Sequence, residues 1–280
     1  MSINKNIYQD YLLLVINLHR KALRENKVGS AIPHLNKKLF KAIDVPLPPL
    51  AEQERIVKEI ERWFDLIDII EKNKTNLKQT IKQTKNKILD LAIHGHLLPQ
   101  DPNDEPAIEL LKRINPKAEV SYDEKLPKGW VTCQLENIVS YEQPTSYIVK
   151  STAYDNSYTT PVLTAGKSFI IGYTNETDNI YSKLPCIIFD DFTTDSKFVD
   201  FPFKVKSSAM KILQVSKDIE IKYVAIFMSI TQIIKDTHKR YWISEYSKLK
   251  IPLPPKQEQE RIVEKIEKIF AVLDRIEREV

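Results

Sequence analysis

The chain has 280 residues, enough for one large domain or two ordinary ones, and 42% apolar with 29% charged residues is a globular composition. Five glycines against sixteen prolines argue against folds built on Gly-rich phosphate loops, and no apolar run is long enough to span a bilayer. The polar first ten residues speak against a secretory signal, and Cys133 and Cys186, far apart without CxxC spacing, exclude a disulfide framework or zinc site, so a cytoplasmic chain without membrane contact is expected.

The net charge is +4, and its distribution says more than its total. Residues 1–45 hold eight basic side chains (Lys5, Arg20, Lys21, Arg24, Lys27, Lys37, Lys38, Lys41) against three acidic ones (Asp10, Glu25, Asp44). The remainder is close to balance. Within this basic segment, residues 8–23 have helical apolar spacing.

Val-Pro-Leu-Pro-Pro-Leu-Ala-Glu-Gln-Glu-Arg-Ile-Val at 45–57 then opens a repeat. It returns at 251–263, 206 residues later, with three substitutions, and similarity continues at Ile60/Ile266, Glu61/Glu267, Phe64/Phe270 and Asp68/Asp274. That separation is too long for a solenoid and marks a duplicated module boundary. Three prolines in four residues keep the backbone extended. Glu52, Glu54, Glu258 and Glu260 follow in first helical turns, where carboxylates oppose the positive end of the dipole.

A heptad follows the first copy. Ile56, Ile60, Trp63, Ile67, Ile70, Lys74, Leu77, Ile81, Thr84, Ile88 and Leu91 step by alternating fours and threes, a coiled-coil seam with two polar breaks. The second copy keeps the register at Ile262, Ile266, Ile269, Leu273, Ile276 and Val280. At 1.5 Å per residue the two helices are roughly 65 and 37 Å long, so part of the longer seam needs a partner beyond the shorter one.

Glycine and prolines at 94–106 end the first helix, and a short helix at 107–114 follows. Leu126-Pro-Lys-Gly-Trp130 opens a β-rich stretch with strands expected at 131–139, 168–173, 186–189, 198–205 and 210–215, then an apolar helix at 221–236. The fold class is α+β, a β-rich domain with long coiled-coil helices. Residues 1–44 match the tail of such a domain: 8–23 parallels 221–236, and Leu39-x-x-x-Ile43 precedes the first boundary much as Tyr246-x-x-Leu249 precedes the second.

The succession of Pro-Leu-Pro-Pro-x-x-Glu-Gln, a long heptad helix, Pro-Gln-Asp-Pro-Asn-Asp-Glu-Pro-Ala, Leu-Pro-x-Gly-Trp, a globular segment and again Pro-Leu-Pro-Pro-x-x-Glu-Gln resembles the specificity subunit of type I restriction–modification systems. Thr160–Ser168, Ile188–Asp195 and Phe203–Leu213 resemble one variety of its target-recognition domain. The resemblance implies a non-catalytic, cofactor-free subunit in which each recognition domain reads half of a split sequence in double-stranded DNA. Its spacer helices would set the gap and dock methyltransferase (M) and restriction (R) subunits. On that map, 1–50 is the end of a first recognition domain, 51–98 the central spacer, 99–126 a linker with a short helix, 127–255 a complete recognition domain and 256–280 a distal spacer. A full family member carries two complete recognition domains. This chain resembles a half-subunit, for which a second copy of itself or another half-subunit is a further partner, or a truncated architectural segment.

Catalytic patterns are few. Ala165-Gly-Lys-Ser168 lacks the first glycine of a P-loop, since position 161 is Pro161. Asp190, Asp191, Asp195 and Lys197 present an acidic pair and a DxK that fit a Mg²⁺ nuclease, whereas the adjoining Thr and Ser suit turns. His94 and His96 have no further ligand nearby and suit a helix C-terminus, so no metal site is assigned. There is no Asn-Pro-Pro-aromatic tetrapeptide and no Walker motif, which leaves modification and cleavage to other chains.

DNA contact needs cations for phosphate and short polar side chains for base edges. Lys150, Lys167, Lys197, Lys204, Lys206, Lys239 and Arg240 are the cationic candidates; Asn156, Tyr158, Thr193, Thr194, Ser207 and Ser208 are the polar readers. Residues 147–160 read as a presenting loop. Strand alternation at 203–207 places Lys204 and Lys206 on one exposed face.

Overall fold

A computed structural model describes residues 6–26, 35–164, 168–233 and 240–279. Its longest element is α4, Leu50–Ile93, which begins directly after Pro49 and whose 44 residues span about 66 Å. The chain forms two compact units, Met1–Gln79 and Thr80–Val280, divided within α4.

In the first unit, α1 (Gln9–Leu18) and α2 (Arg20–Glu25) replace the single helix expected at 8–23. His19 caps both, at φ −88° and ψ 1°, and donates to Ile16 O at 3.1 Å. The Asn36 side chain caps α3 (Lys37–Lys41) by accepting from Lys38 N and Leu39 N. Tyr11, Val15 and Val57 form a small core against Tyr8, Leu14, Val45 and Ile56.

The second unit is α+β. After α5 (Ala107–Ile114) come β1 (Val131–Gln134), β2 (Val139–Glu142), β3 (Thr160–Leu163), β4 (Ile170–Thr174), β5 (Cys186–Asp190), β6 (Ser196–Val199), β7 (Lys204–Val205) and β8 (Met210–Val215), then α6 (Ile221–Ile230), β9 (Lys250–Leu253) and α7 (Lys256–Glu279). The sheets run β2-β8-β5-β6, β4-β3-β7 and β1-β9. All named pairings are antiparallel except β3 with β7.

β5 shows how the sequence produces this layering. Ile187 and Phe189 enter a core with α4–α7 residues, while Cys186 and Ile188 enter a second core with Leu163, Phe203 and Val205. A strand buried on both faces needs a continuous apolar run, and Cys-Ile-Ile-Phe supplies it. Burial pushes both cysteine thiols, Cys133 and Cys186, up to about 12.

Three expected elements differ. The strand expected at 131–139 is interrupted by a 3₁₀ turn, Leu135–Asn137, in which Asn137 Oδ1 accepts from Gln134 N at 3.0 Å. The strand expected at 198–205 splits into β6 and β7, which belong to different sheets; Pro202, which cannot donate to a ladder, lies between them. The helix expected at 221–236 ends at Ile230, before the β-branched Thr231 and Ile233.

The heptad seam is buried unevenly. In the second unit Ile81, Ile262 and Ile266 are buried, and Ile88, Leu91, Ile269 and Leu273 half-buried. There α7 runs antiparallel to α4, with Lys85 Nζ 2.5 Å from Asp274 and 3.5 Å from Glu277. In the first unit Ile56 and Ile60 are half-buried, as is Leu77, whereas Trp63, Ile67 and Ile70 are exposed. Ile276 is exposed as well, and Val280 lies outside the described residues.

Candidate nucleic-acid interface

β5 ends in a turn built by its own carboxylate. Asp190 Oδ1 accepts from Phe192 N at 2.8 Å and Thr193 N at 3.2 Å, and Asp190 N donates to Asp195 O at 2.8 Å. The next residue ties three segments together. Asp191 N donates to Ala209 O (3.1 Å), its carbonyl accepts from Tyr241 N (2.9 Å) and its carboxylate accepts from Trp242 N (2.8 Å). Asp191 is buried and pairs with the buried Lys211 at 3.5 Å. These bonds bring Thr193, Lys206, Ser207, Ser208 and Arg240 to one end of the four-stranded sheet, all exposed. The Arg240 guanidinium lies 5.9 Å from the ring of the exposed Phe192.

Two expected DNA contacts are internal instead. Lys204 is 1% exposed; its Nζ pairs with Glu176 at 2.9 Å and donates to Asp178 O at 2.8 Å. Lys206 follows the two-residue β7 in a bend, its N–H still donating to Leu163 O at 3.0 Å, and it is exposed where Lys204 is buried, so the shared exposed face does not form. Thr194 is fully buried at φ +59°, and its hydroxyl accepts from Ile233 N at 3.1 Å.

The other candidates are dispersed. Lys150 is exposed but pairs with Asp178 at 2.6 Å, which raises its pKa, while Glu176 accepts from Lys150 N and Ser151 N. Asn156 and Tyr158 belong to the loop before β3, held by Asp155 N donating to Tyr173 O at 3.1 Å. Lys197 is exposed on β6. Lys167 and Lys239 lie outside the described residues, as does most of the Ala165–Ser168 segment. The carboxylates of the nuclease alternative are engaged: Asp190 caps the turn, Asp191 meets Lys211 and Trp242, and Asp195 accepts from Gln232 at 2.8 Å.

The second proline-rich boundary is locked from two sides. Trp130 Nε1 donates to Glu258 Oε2 at 2.9 Å, and Arg261 pairs with Asp104. Gly95, at φ +72°, lets the end of α4 close on this point, since a Cβ there would lie 2.3 Å from Pro127. His94 Nδ1 bonds Asp90 O at 2.8 Å, the C-terminal helix role expected of it. Burial raises the Glu258 pKa, against the opposing hydrogen bonds of Trp130 and Gln100 and the charge of Arg261. A carboxyl with a raised folded-state pKa adds stability that is full below its unfolded pKa and lost as pH rises through the folded one. Glu258→Gln, which keeps an acceptor for the indole, should therefore gain stability relative to the parent at pH 8, with the gain shrinking towards pH 4. Denaturant melts across that range check this.

A family model described as the type I restriction modification DNA specificity domain matches residues 1–79 and 127–280. The chain belongs to this family. Specificity subunits of Escherichia coli are among its relatives: that of EcoR124I/EcoR124II is 48% identical over 168 residues (56% of this chain, 41% of that protein), and that of EcoAI is 24% identical over 293 residues (84% and 47%). The chain thus spans less than half the length of these two curated relatives. Among solved structures, a chain from work on assembly and conformational transition of the type I R-M system superposes with a TM-score of 0.66 at 16% identity, covering 99% of this chain and 67% of that one. The HsdS subunit from Thermoanaerobacter tengcongensis gives 0.53 at 16% identity, covering 98% and 65%. At that identity these two matches show the fold alone.

In this specificity-domain chain sequence reasoning missed Glu176 and Lys211, and it read Glu258 only as a first-turn carboxylate, not as the acceptor of the Trp130 indole. Each is a charged residue in an unremarkable local context whose partner lies 20 or more residues away. Glu258 had one readable signal, its place in the repeated Glu-Gln-Glu.

Proposed function

We propose that the chain is a DNA-sequence-recognition subunit of a type I restriction–modification complex. The carrying observation is the exposed group at the sheet end, where Arg240, Lys206, Ser207, Ser208 and Thr193 project from turns tied together through Asp191. Cations there neutralise backbone phosphate, and short hydroxyl side chains reach base edges. Membership of the specificity-domain family supports the same reading.

On this proposal 127–255 reads one half of a bipartite target and 99–126 links it to the spacer at 51–98. Residues 256–280 form the distal spacer, and 1–50 is the tail of a first recognition domain. Methyl transfer and cleavage belong to M and R chains in the cytoplasm. The exposed stripe of Trp63, Phe64, Ile67 and Ile70 supports docking of another protein on α4.

Among the described residues Lys197, Lys206 and Arg240 make no ion pair, so neutralising them removes charge without breaking an internal salt bridge. The combined Lys197→Gln, Lys206→Gln, Arg240→Gln variant should keep its thermal stability yet bind DNA at least about tenfold more weakly at 0.1 M salt. The slope of log K against log[salt] should flatten by about 1 for each phosphate that is no longer neutralised. Unchanged affinity and slope would remove the sheet end from the DNA surface.

A further inference from the structure

Where residues 100–108, 122–131 and the start of α7 meet, the second unit holds a cavity of about 660 Å³, a size that takes whole small molecules. Four prolines, Pro102, Pro106, Pro127 and Pro255, and the Trp130 indole contribute apolar wall. A proline has no N–H to donate, so these walls have little to offer an anion.

The charged lining is mostly acidic. Asp101, Asp104, Asp123 and Glu258 border the cavity with one cation, Lys128, among the described lining residues. Asp104 is committed to Arg261. Asp101 and Asp123 are exposed, and each spends Oδ1 on its own turn, accepting from Asn103 N at 2.9 Å and Lys125 N at 3.0 Å. Glu258 differs from both. It is 2% exposed, and while its Oε2 accepts from Trp130 Nε1, its Oε1 meets no hydrogen-bond donor among the described residues. A buried carboxylate oxygen without a donor is costly. In surroundings that are already acidic, a cation is the donor that relieves it best.

We propose that this cavity binds an aliphatic polyamine. One protonated amine donates to Glu258 Oε1, the methylene chain lies along Trp130 and the prolines, and a second amine meets the exposed Asp101 or Asp123. Ammonium against carboxylate supplies charge-assisted hydrogen bonds, and the apolar wall distinguishes an organic cation from a hydrated metal ion. A lysine side chain of another protein offers the same ammonium, but it carries a single charge and would leave most of the volume empty. The proposal stands on the cavity and on Glu258, not on DNA reading, so a failure of DNA recognition leaves it intact.

The test is calorimetric titration of the full chain with spermidine in the absence of DNA. Saturable one-to-one binding is expected. Glu258→Gln, which keeps an acceptor for the indole, should weaken it at least about tenfold. Asp101→Asn combined with Asp123→Asn should weaken it about two- to fivefold, and Lys128→Gln should tighten it by about the same factor. A gain in affinity is a result that damage to the fold cannot imitate. Absence of saturable binding would overturn the proposal, as would binding indifferent to Glu258→Gln. Mg²⁺ competing as strongly as spermidine at equal charge concentration would reduce the site to general charge attraction. N-acetyl-lysine amide binding as tightly as spermidine would assign the cavity to a protein side chain. Either of these two results would overturn the stated occupant.

Discussion

Lys204→Ala should destabilise the second unit by roughly 3–5 kcal/mol, a fall in Tm on the order of 10 °C. The Lys204 side chain is 1% exposed and that of its partner Glu176 12% exposed, so removing the ammonium strands a carboxylate that water can barely reach. Glu176 also accepts from Lys150 N and Ser151 N, so the loss should loosen the loop at 148–159. Burial alone would raise the Glu176 pKa, but Lys204 and those two amides outweigh it and hold the carboxyl below its usual range. A depressed carboxyl contributes stability above its unfolded pKa and loses it as pH falls through the folded one, so the deficit of Lys204→Ala should narrow in acid. Lys204→Met with Glu176→Gln should recover much of the loss, because a neutral, volume-matched pair carries no stranded charge. Thermal melts of the three proteins check this. Unaltered stability with weakened DNA binding would restore Lys204 to the surface.

Trp130→Ala should cost a similar amount, about 3–5 kcal/mol, through a different mechanism. The indole is 3% exposed and belongs to the main core with Leu89, Ala92, Ile93, Ile262 and Ile266, joining α4 to α7. Its truncation leaves a cavity and also withdraws the Nε1–H donor from Glu258. Trp130→Phe separates the two effects: the ring is largely kept and the donor lost, so about 1–3 kcal/mol is expected. Denaturant unfolding of both variants measures the split. Equal losses for Ala and Phe would mean that the hydrogen bond, not packing, dominates.

The layout of this molecule follows from signals local to the chain. The repeated proline-rich boundary locates the starts of α4 and α7, because prolines end extended chain and the following Glu-Gln-Glu suits a first helical turn. Cys186–Phe189 reads as a strand, and β5 forms there; its burial on both faces emerges only from the two cores that meet on it. What escaped depends on partners distant in sequence. Lys204 looks like a surface cation until Glu176 is brought against it, and Thr194 looks like a reader until its left-handed backbone turns its hydroxyl towards Ile233. The heptad announces an apolar stripe along α4 but carries no information about which stretch of it is covered. That is why Ile81 is buried while Trp63 and Ile70 are exposed on the same helix.

Selection from a random double-stranded DNA library by the purified chain together with a methyltransferase subunit reaches the central claim most directly. Recognition through the 127–255 domain predicts enrichment of one short defined sequence, lost when Lys197, Lys206 and Arg240 are neutralised together. A library that emerges with no enriched sequence, although the two proteins form a complex, would contradict it.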